Sequence, residues 1–251
     1  MKLSGYMKLT LQDYPGFVAA MCFTSGCQLR CPYCHNAEIV LSNNQRNYTD
    51  REKKAVEFLS YLEQRKLQLD GVVVSGGEPL LQYDISDFLY KIKKMRLAVK
   101  LDTNGLIPDR LKELINNRLI DYVALDYKNC KEYFAETVGL SSIENQEVID
   151  IYYNNWRTSL NYLRENSVPY ELRTTVVREL HPISVLIHMA ESIYKESNQP
   201  ERWFLQSFLR SGQLMCDYTN QNTRLSSYSN EEMEEIMQEL LRIASCIQLR
   251  R

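Results

Sequence analysis

Three cysteines, Cys27, Cys31 and Cys34, stand at i, i+4 and i+7 in the run Gly26-Cys27-Gln28-Leu29-Arg30-Cys31-Pro32-Tyr33-Cys34-His35-Asn36. That spacing lets a short loop point three sulfurs at one centre, and the loop follows an apolar run from Phe17 to Phe23. Electron-transfer iron–sulfur clusters take four cysteines and structural zinc sites close at four ligands, yet no fourth cysteine lies at a matching distance. Three thiolates on a four-iron cube leave one iron open, and an open coordination position is where chemistry takes place. A structural zinc site with His35 as fourth ligand is the bland alternative, although zinc knuckles usually pair two close-spaced halves far apart in sequence. Burial of the cysteines as small core residues fits less well, because Arg30, Pro32 and His35 make a poor core.

Other chemically capable residues follow apolar runs. Ser75-Gly76-Gly77-Glu78-Pro79 places adjacent glycines where a backbone must come close to something, with Pro79 suited to a first helical turn. No Lys-Ser or Lys-Thr follows, so this is not a phosphate-cradling loop; carbonyls plus Glu78 suit an ammonium group, and a capped βα turn is the plain reading. Asp102 and Thr103 extend a strand into the turn-forming Asn104-Gly105, so at least one of the two points into a site. Asp126 and Lys128 are two apart and share a face, as a solvated salt bridge also would. Glu171, Arg173 and Thr175 share another face, where Arg173 could fork onto a carboxylate. His181 and His188 are seven apart with no acid partner evident, and Met233 and Met237 read as core.

The elements that must position these residues alternate regularly. Val18–Thr24 reads as a buried strand and Thr49-Asp50-Arg51-Glu52 as a helix start, with Ala55, Val56, Leu59 and Leu62 on its apolar stripe. Strands follow at Val72–Val74, Ala98–Leu101, Tyr122–Leu125, Tyr170–Val177 and Trp203–Phe208. Helices carrying Ile85, Phe88, Leu89 and Ile92, then Leu111, Leu114 and Ile115, separate them. Lys131–Asn166 reads as two helices broken near Gly139–Ser142, Pro182–Ser197 as one helix, and Asn230–Ile243 as the closing one. The polar stretch Arg210–Ser229 reads as a long loop. Six βα units argue for a parallel sheet with right-handed crossovers. A doubly wound open sheet and a partial barrel both fit, and both bind ligands at the carboxyl ends of the strands, where the unusual residues collect.

Composition bounds the rest. A length of 251 residues suits one large α/β domain or two small ones; a single domain is expected here over residues 1–251, with a core of about 17–210 and a C-terminal loop and helix over about 210–251. Net charge is −2 with acids and bases mixed, so no nucleic-acid partner is expected. Seven cysteines, four of them scattered (Cys22, Cys130, Cys216, Cys246), suit reduced thiols rather than a disulfide scaffold. With no signal-type apolar segment after Lys2 and no run long enough to span a bilayer, a cytoplasmic protein without a membrane partner is expected.

Cys27-x3-Cys31-x2-Cys34 with Tyr33 before the last cysteine, followed by Gly76-Gly77-Glu78, resembles the radical S-adenosylmethionine (SAM) enzymes. Leu11-Gln12-Asp13-Tyr14-Pro15-Gly16, Cys34-His35-Asn36, Lys100-Leu101-Asp102-Thr103-Asn104-Gly105 and Leu172-Arg173-Thr174-Thr175 further resemble the glycyl-radical-enzyme activases. The nearest subgroup is the activating proteins of anaerobic ribonucleoside-triphosphate reductases, with pyruvate formate-lyase activases as cousins. The similarity runs from about residue 8 to about 210. The resemblance implies an α/β single-domain partial (β/α)6 TIM-like barrel, a parallel sheet with outer helices. It implies a 4Fe–4S cluster on Cys27, Cys31 and Cys34 with SAM on the open iron. Gly76, Gly77 and Glu78 would hold the methionine ammonium, and the Tyr33 backbone would meet the adenine. Asp102, Thr103 and Asp126 match a monovalent-cation site; Asn104 lies in the same cofactor-binding stretch, and Lys128 and Arg173 match cofactor contacts. The implied partners are a glycyl radical enzyme, in the first place anaerobic ribonucleotide reductase, and an electron donor such as flavodoxin or ferredoxin. Leu205–Leu209 lacks the histidine that pyruvate formate-lyase activases carry there, and Gln28 stands where asparagine is common. Two rivals remain: a radical enzyme acting on a small molecule, and a zinc-stabilised binding protein using the three cysteines and His35.

Overall fold

The computed structural model describes residues 1–41, 48–140, 146–166, 168–194, 202–219 and 224–250. The chain divides into two compact units: Met1–Gln28 with Glu38–Ala124 and Asn155–Pro169, and Leu29–Ala37 with Leu125–Asn154 and Tyr170–Arg251.

In the first unit, Val72, Val73 and Val74 are all fully buried, the near-continuous apolar run of a strand covered on both faces. They form the centre of β3 (Gly71–Gly76), which lies parallel to β2 (Ala19–Thr24) and to β4 (Ala98–Thr103). Met21, Val73 and Lys100 are opposed across the three strands. β1 (Leu3–Thr10) joins β2 antiparallel. A short α1 (Ala37–Leu41) follows the cysteine loop, and then α2 (Tyr48–Arg65), α3 (Ile85–Lys94) and α4 (Pro108–Asn116) supply apolar faces. On α2 the buried row is Ala55, Phe58 and Leu62, at helical three- and four-residue spacing. Val56, expected in that row, is 68% exposed, because Phe58 fills the inward position and sets the helix's rotation. Its ring packs 5.2 Å from Tyr6 of β1 and 6.5 Å from Phe88 of α3. Each fully buried side chain of this size contributes about 1.5–3 kcal/mol.

β5 (Tyr122–Asp126) and, after α5 (Lys131–Thr137), helix α6 (Gln146–Glu165) each carry the chain across a unit boundary. The second unit is built on β6 (Tyr170–Val176), β7 (Trp203–Ser207) and β8 (Ile247–Arg250), all parallel. Leu172, Thr174 and Val176 bury one face of β6. Helices α7 (Ile183–Tyr194) and α9 (Asn230–Leu241) bring Leu186, Met189, Met233 and Leu240 to the core, and α8 (Met215–Tyr218) is a single turn. Ser229 caps α9: its hydroxyl accepts the Glu232 N–H at 3.2 Å and Glu232 accepts the Ser229 N–H at 2.7 Å.

Among the described residues strand order is chain order from β1 to β8, with β1 and β8 at the two edges, so this is an open, largely parallel α/β sheet. The six expected strands are β2 to β7. Two lie outside the sequence reading: β1, whose exposed Met7 and Leu9 break any alternation, and β8, only four residues long. Arg210–Ser229 is not all loop, since Leu214 and Asp217 start α8. The expected break after α5 is present at Val138-Gly139, with 141–145 outside the described residues, as are 195–197 at the expected end of α7.

Candidate functional site

In the first unit, β2 delivers the chain through Ser25-Gly26 to Cys27. The end of β3 packs directly against that turn: Gly77 N–H donates to Thr24 O at 2.9 Å and Glu78 N–H to Gly26 O at 2.8 Å. A Cβ on Gly76 would stand 2.2 Å from Thr24 N, and one on Gly77 would stand 2.0 Å from Gly26 O. What the paired glycines approach is therefore the chain's own backbone, just before the first thiol. Glu78, with no exposed surface, caps the 3₁₀ turn Pro79–Leu81. Its carboxylate accepts from Leu80 N at 3.0 Å, Thr103 Oγ1 at 2.7 Å and Asn104 N at 2.8 Å, tying the end of β3 to the end of β4.

Asn104 turns its amide to the first cysteine, Nδ2–H donating to Cys27 Sγ at 3.7 Å. Its Oδ1 accepts from Gln28 Nε2 at 3.2 Å and from Leu106 N at 3.1 Å, which fixes the rotamer. Gln28, the unusual residue of the loop, thus serves as the holder of Asn104. Asp102 pairs with the fully buried Lys100 at 2.5 Å, two residues back on the same face of β4.

In the second unit, the rest of the cysteine loop hangs on backbone hydrogen bonds. Arg30 N–H donates to Val138 O at 3.0 Å, Cys34 N–H to Cys31 O at 2.9 Å, Cys216 N–H to Pro32 O at 3.0 Å and Met215 N–H to Cys34 O at 3.1 Å. Gly139 has φ +76°, and a Cβ there would lie 2.2 Å from Arg30 O. Cys31 and Tyr33 are buried and Cys34 half-buried. Burial pushes the Cys31 thiol up to about 11 and raises Cys34 and the Tyr33 phenol, while the Lys128 ammonium pulls all three back down. Iron ligation needs the thiolates, so a nearby ammonium favours it.

Asp126, the last residue of β5, receives Lys128 Nζ at 3.2 Å and Arg173 NH2 at 3.3 Å. The expected pairing of Asp126 with Lys128 is present, and Arg173 reaches the same carboxylate through one nitrogen. Beneath them His181, fully buried, donates Nε2–H to Lys128 O at 2.7 Å and accepts Val177 N–H on Nδ1 at 3.1 Å. Burial lowers its pKa to about 4, which keeps the ring neutral in that tautomer. His35 is exposed; its ring stacks on Phe208 with centroids 5.6 Å apart, and Nδ1 faces Ser211 O at 3.2 Å.

Sequence reasoning missed the braces: Val138 and Gly139, Met215 and Cys216, and His181. All but His181 act through backbone atoms, so residue type carries no signal; only Gly139, a helix-ending glycine, left a trace.

An open, largely parallel α/β sheet with a three-thiol loop after its first parallel strand defines a protein of the ligand-binding α/β class. The chain matches the radical SAM superfamily over residues 21–180 and belongs to it. That family's chemistry rests on a 4Fe–4S cluster and SAM. A Methanocaldococcus jannaschii protein named for glycyl-radical enzyme activation is 35% identical over 176 residues, 70% of this chain and 68% of that protein. The pyruvate formate-lyase-activating enzyme of Listeria monocytogenes is 28% identical over 171 residues, 66% of this chain and 64% of the enzyme's length. Streptococcus suis SuiB bound to S-adenosylmethionine shares the fold, with a TM-score of 0.64 at 15% identity over 91% of this chain and 49% of that one. Among the described residues no helix is long and apolar enough to cross a membrane.

Proposed function

We propose that this chain is a glycyl-radical-enzyme activase whose target is an anaerobic ribonucleotide reductase. The observation that carries the activase reading is the cysteine triad within a chain whose curated relatives are named for that activation over about two thirds of their length. The narrower target rests on the sequence runs around Asp13, Asn104 and Arg173. In this reading Cys27, Cys31 and Cys34 hold the cluster. The donor set fits: three soft thiols within one loop, an amide N–H on the Cys27 sulfur, and the Lys128 ammonium favouring the thiolates of Cys31 and Cys34. When bound, cluster and SAM would supply one-electron reductive cleavage of SAM, with the electron drawn from the flavodoxin or ferredoxin, and through it hydrogen-atom abstraction from a partner glycine.

The chain's own residues do the positioning. Gly76 and Gly77 let β3 close on the turn before Cys27, and Glu78 locks β3 to β4. Glu78's oxygens are already engaged by Leu80, Thr103 and Asn104, so an ammonium from SAM would add to those bonds or share the carboxylate with them. Asp102, Asp126, Lys128, Arg173 and the Tyr33 backbone complete the proposed cofactor contacts. A monovalent cation at Asp102 or Asp126 would bind beside an ammonium that each carboxylate already has. A cytoplasmic setting with a flavodoxin or ferredoxin as reductant belongs to the same proposal, as does one functional domain.

The test is to reduce the reconstituted protein anaerobically, add SAM and either anaerobic ribonucleotide reductase or pyruvate formate-lyase, and record electron paramagnetic resonance spectra. A glycyl radical on the reductase supports the full reading. A signal only on the lyase overturns the target, and SAM cleavage with neither signal overturns the activase assignment.

A further inference from the structure

The second unit carries a set of metal-capable side chains that the cysteine loop does not use. Cys130 caps α5, Glu132 lies in the first turn of that helix, and His188 projects from the middle of α7. One ligand atom from each, the sulfur, a carboxylate oxygen and an imidazole nitrogen, lie within 4.8 Å of one another. His188 Nε2 stands 3.4 Å from Glu132 Oε2. In a tetrahedral zinc site, bonds of about 2.0–2.1 Å to nitrogen and oxygen and about 2.3 Å to sulfur put ligand atoms roughly 3.3–3.6 Å apart. The nitrogen and oxygen are thus already at ligand spacing.

The sulfur is held from behind. Asn129, itself buried, accepts the Cys130 N–H at 2.8 Å and lies 3.5 Å from the thiol; its own Nδ2 donates to Thr137 Oγ1 at 2.9 Å and Leu180 O at 3.0 Å. Cys130 is 1% exposed, whereas His188 and Glu132 are exposed and leave an entry path. A buried, oriented sulfur under an exposed imidazole and carboxylate is more than an exposed ion pair needs.

We propose that Cys130, Glu132 and His188 bind one zinc ion, or a similar thiophilic divalent cation, with water at the fourth position. Binding exchanges the thiol proton into solvent and moves no electrons. The ion would pin α7 to the start of α5, the helix whose end at Val138 holds Arg30 in the cysteine loop. The site is independent of the activase reading.

The experiment uses the full chain with its iron–sulfur cluster reconstituted, so that Cys27, Cys31 and Cys34 are occupied. Dialysis against zinc sulfate followed by elemental analysis should give about one zinc per chain beyond the iron, and zinc-edge X-ray absorption should show one sulfur neighbour at about 2.3 Å. Cys130→Ser and His188→Ala should lose that zinc with iron content unchanged, and zinc should raise the melting temperature of the parent but not of His188→Ala. Should Cys130→Ser fail to fold, His188→Ala and Glu132→Gln decide, because both side chains are exposed. No zinc in the parent, zinc retained by these variants, or a zinc shell without sulfur overturns the assignment.

Discussion

Glu78 shows how a single residue can be structural and chemical at once. A carboxylate with no exposed surface survives folding only if its oxygens are hydrogen-bonded, and three donors from β4 and the 3₁₀ turn do this. Glu78→Gln replaces one acceptor by a donor facing N–H or O–H groups. It should lower the unfolding free energy by about 1–3 kcal/mol in cluster-free protein without SAM, measured by urea denaturation. An unchanged midpoint would leave Glu78 with a cofactor role alone. Asn104 makes a subtler case. Hydrogen bonds to cluster sulfurs are one of the settings of reduction potential. Asn104→Ala removes the donor to Cys27 and should shift the cluster potential downward with iron content retained, read from a potentiometric titration; an unmoved potential would take Asn104 out of that role.

Elements act here chiefly as clamps on a loop that has no regular structure of its own. Helix α5 ends at Thr137, and the left-handed Gly139 lets the chain turn away beside Arg30. Gly139→Ala meets both a positive φ and a carbonyl 2.2 Å away, so the Arg30–Val138 bond should break and the loop loosen. We expect iron incorporation to fall several-fold. Gly5→Ala, where a new Cβ meets nothing within 4 Å, should leave it unchanged; equal iron in both variants would show that α5 does not brace the loop.

At the scale of the whole molecule, the buried His181 links stability to pH. Its folded pKa of about 4 lies below the ordinary 6.5, so between those values the unfolded chain binds a proton that the folded one does not. Stability is therefore full above pH 6.5 and falls as pH drops toward 4, by up to about 3 kcal/mol from this group. The slope of unfolding free energy against pH over that window should be flatter in His181→Gln, where no imidazole titrates. Identical slopes would mean that the ring is not held neutral. The same residue carries no local signature of its role. His181 lacked any acid neighbour in sequence, and its partner proved to be a backbone carbonyl 53 positions away.

The cysteine spacing, the Gly-Gly-Glu turn and the six strands of the parallel core were legible because each is a local pattern: type and spacing fix which side chains a loop or pleat can present together. Distant backbone placement decided the rest: the glycines' neighbour at residues 24–26, the bonds of residues 138, 215 and 216 to the cysteine loop, and the meeting of Cys130 with His188. A main-chain amide looks the same at every position, so only the folded path says which carbonyl it will reach.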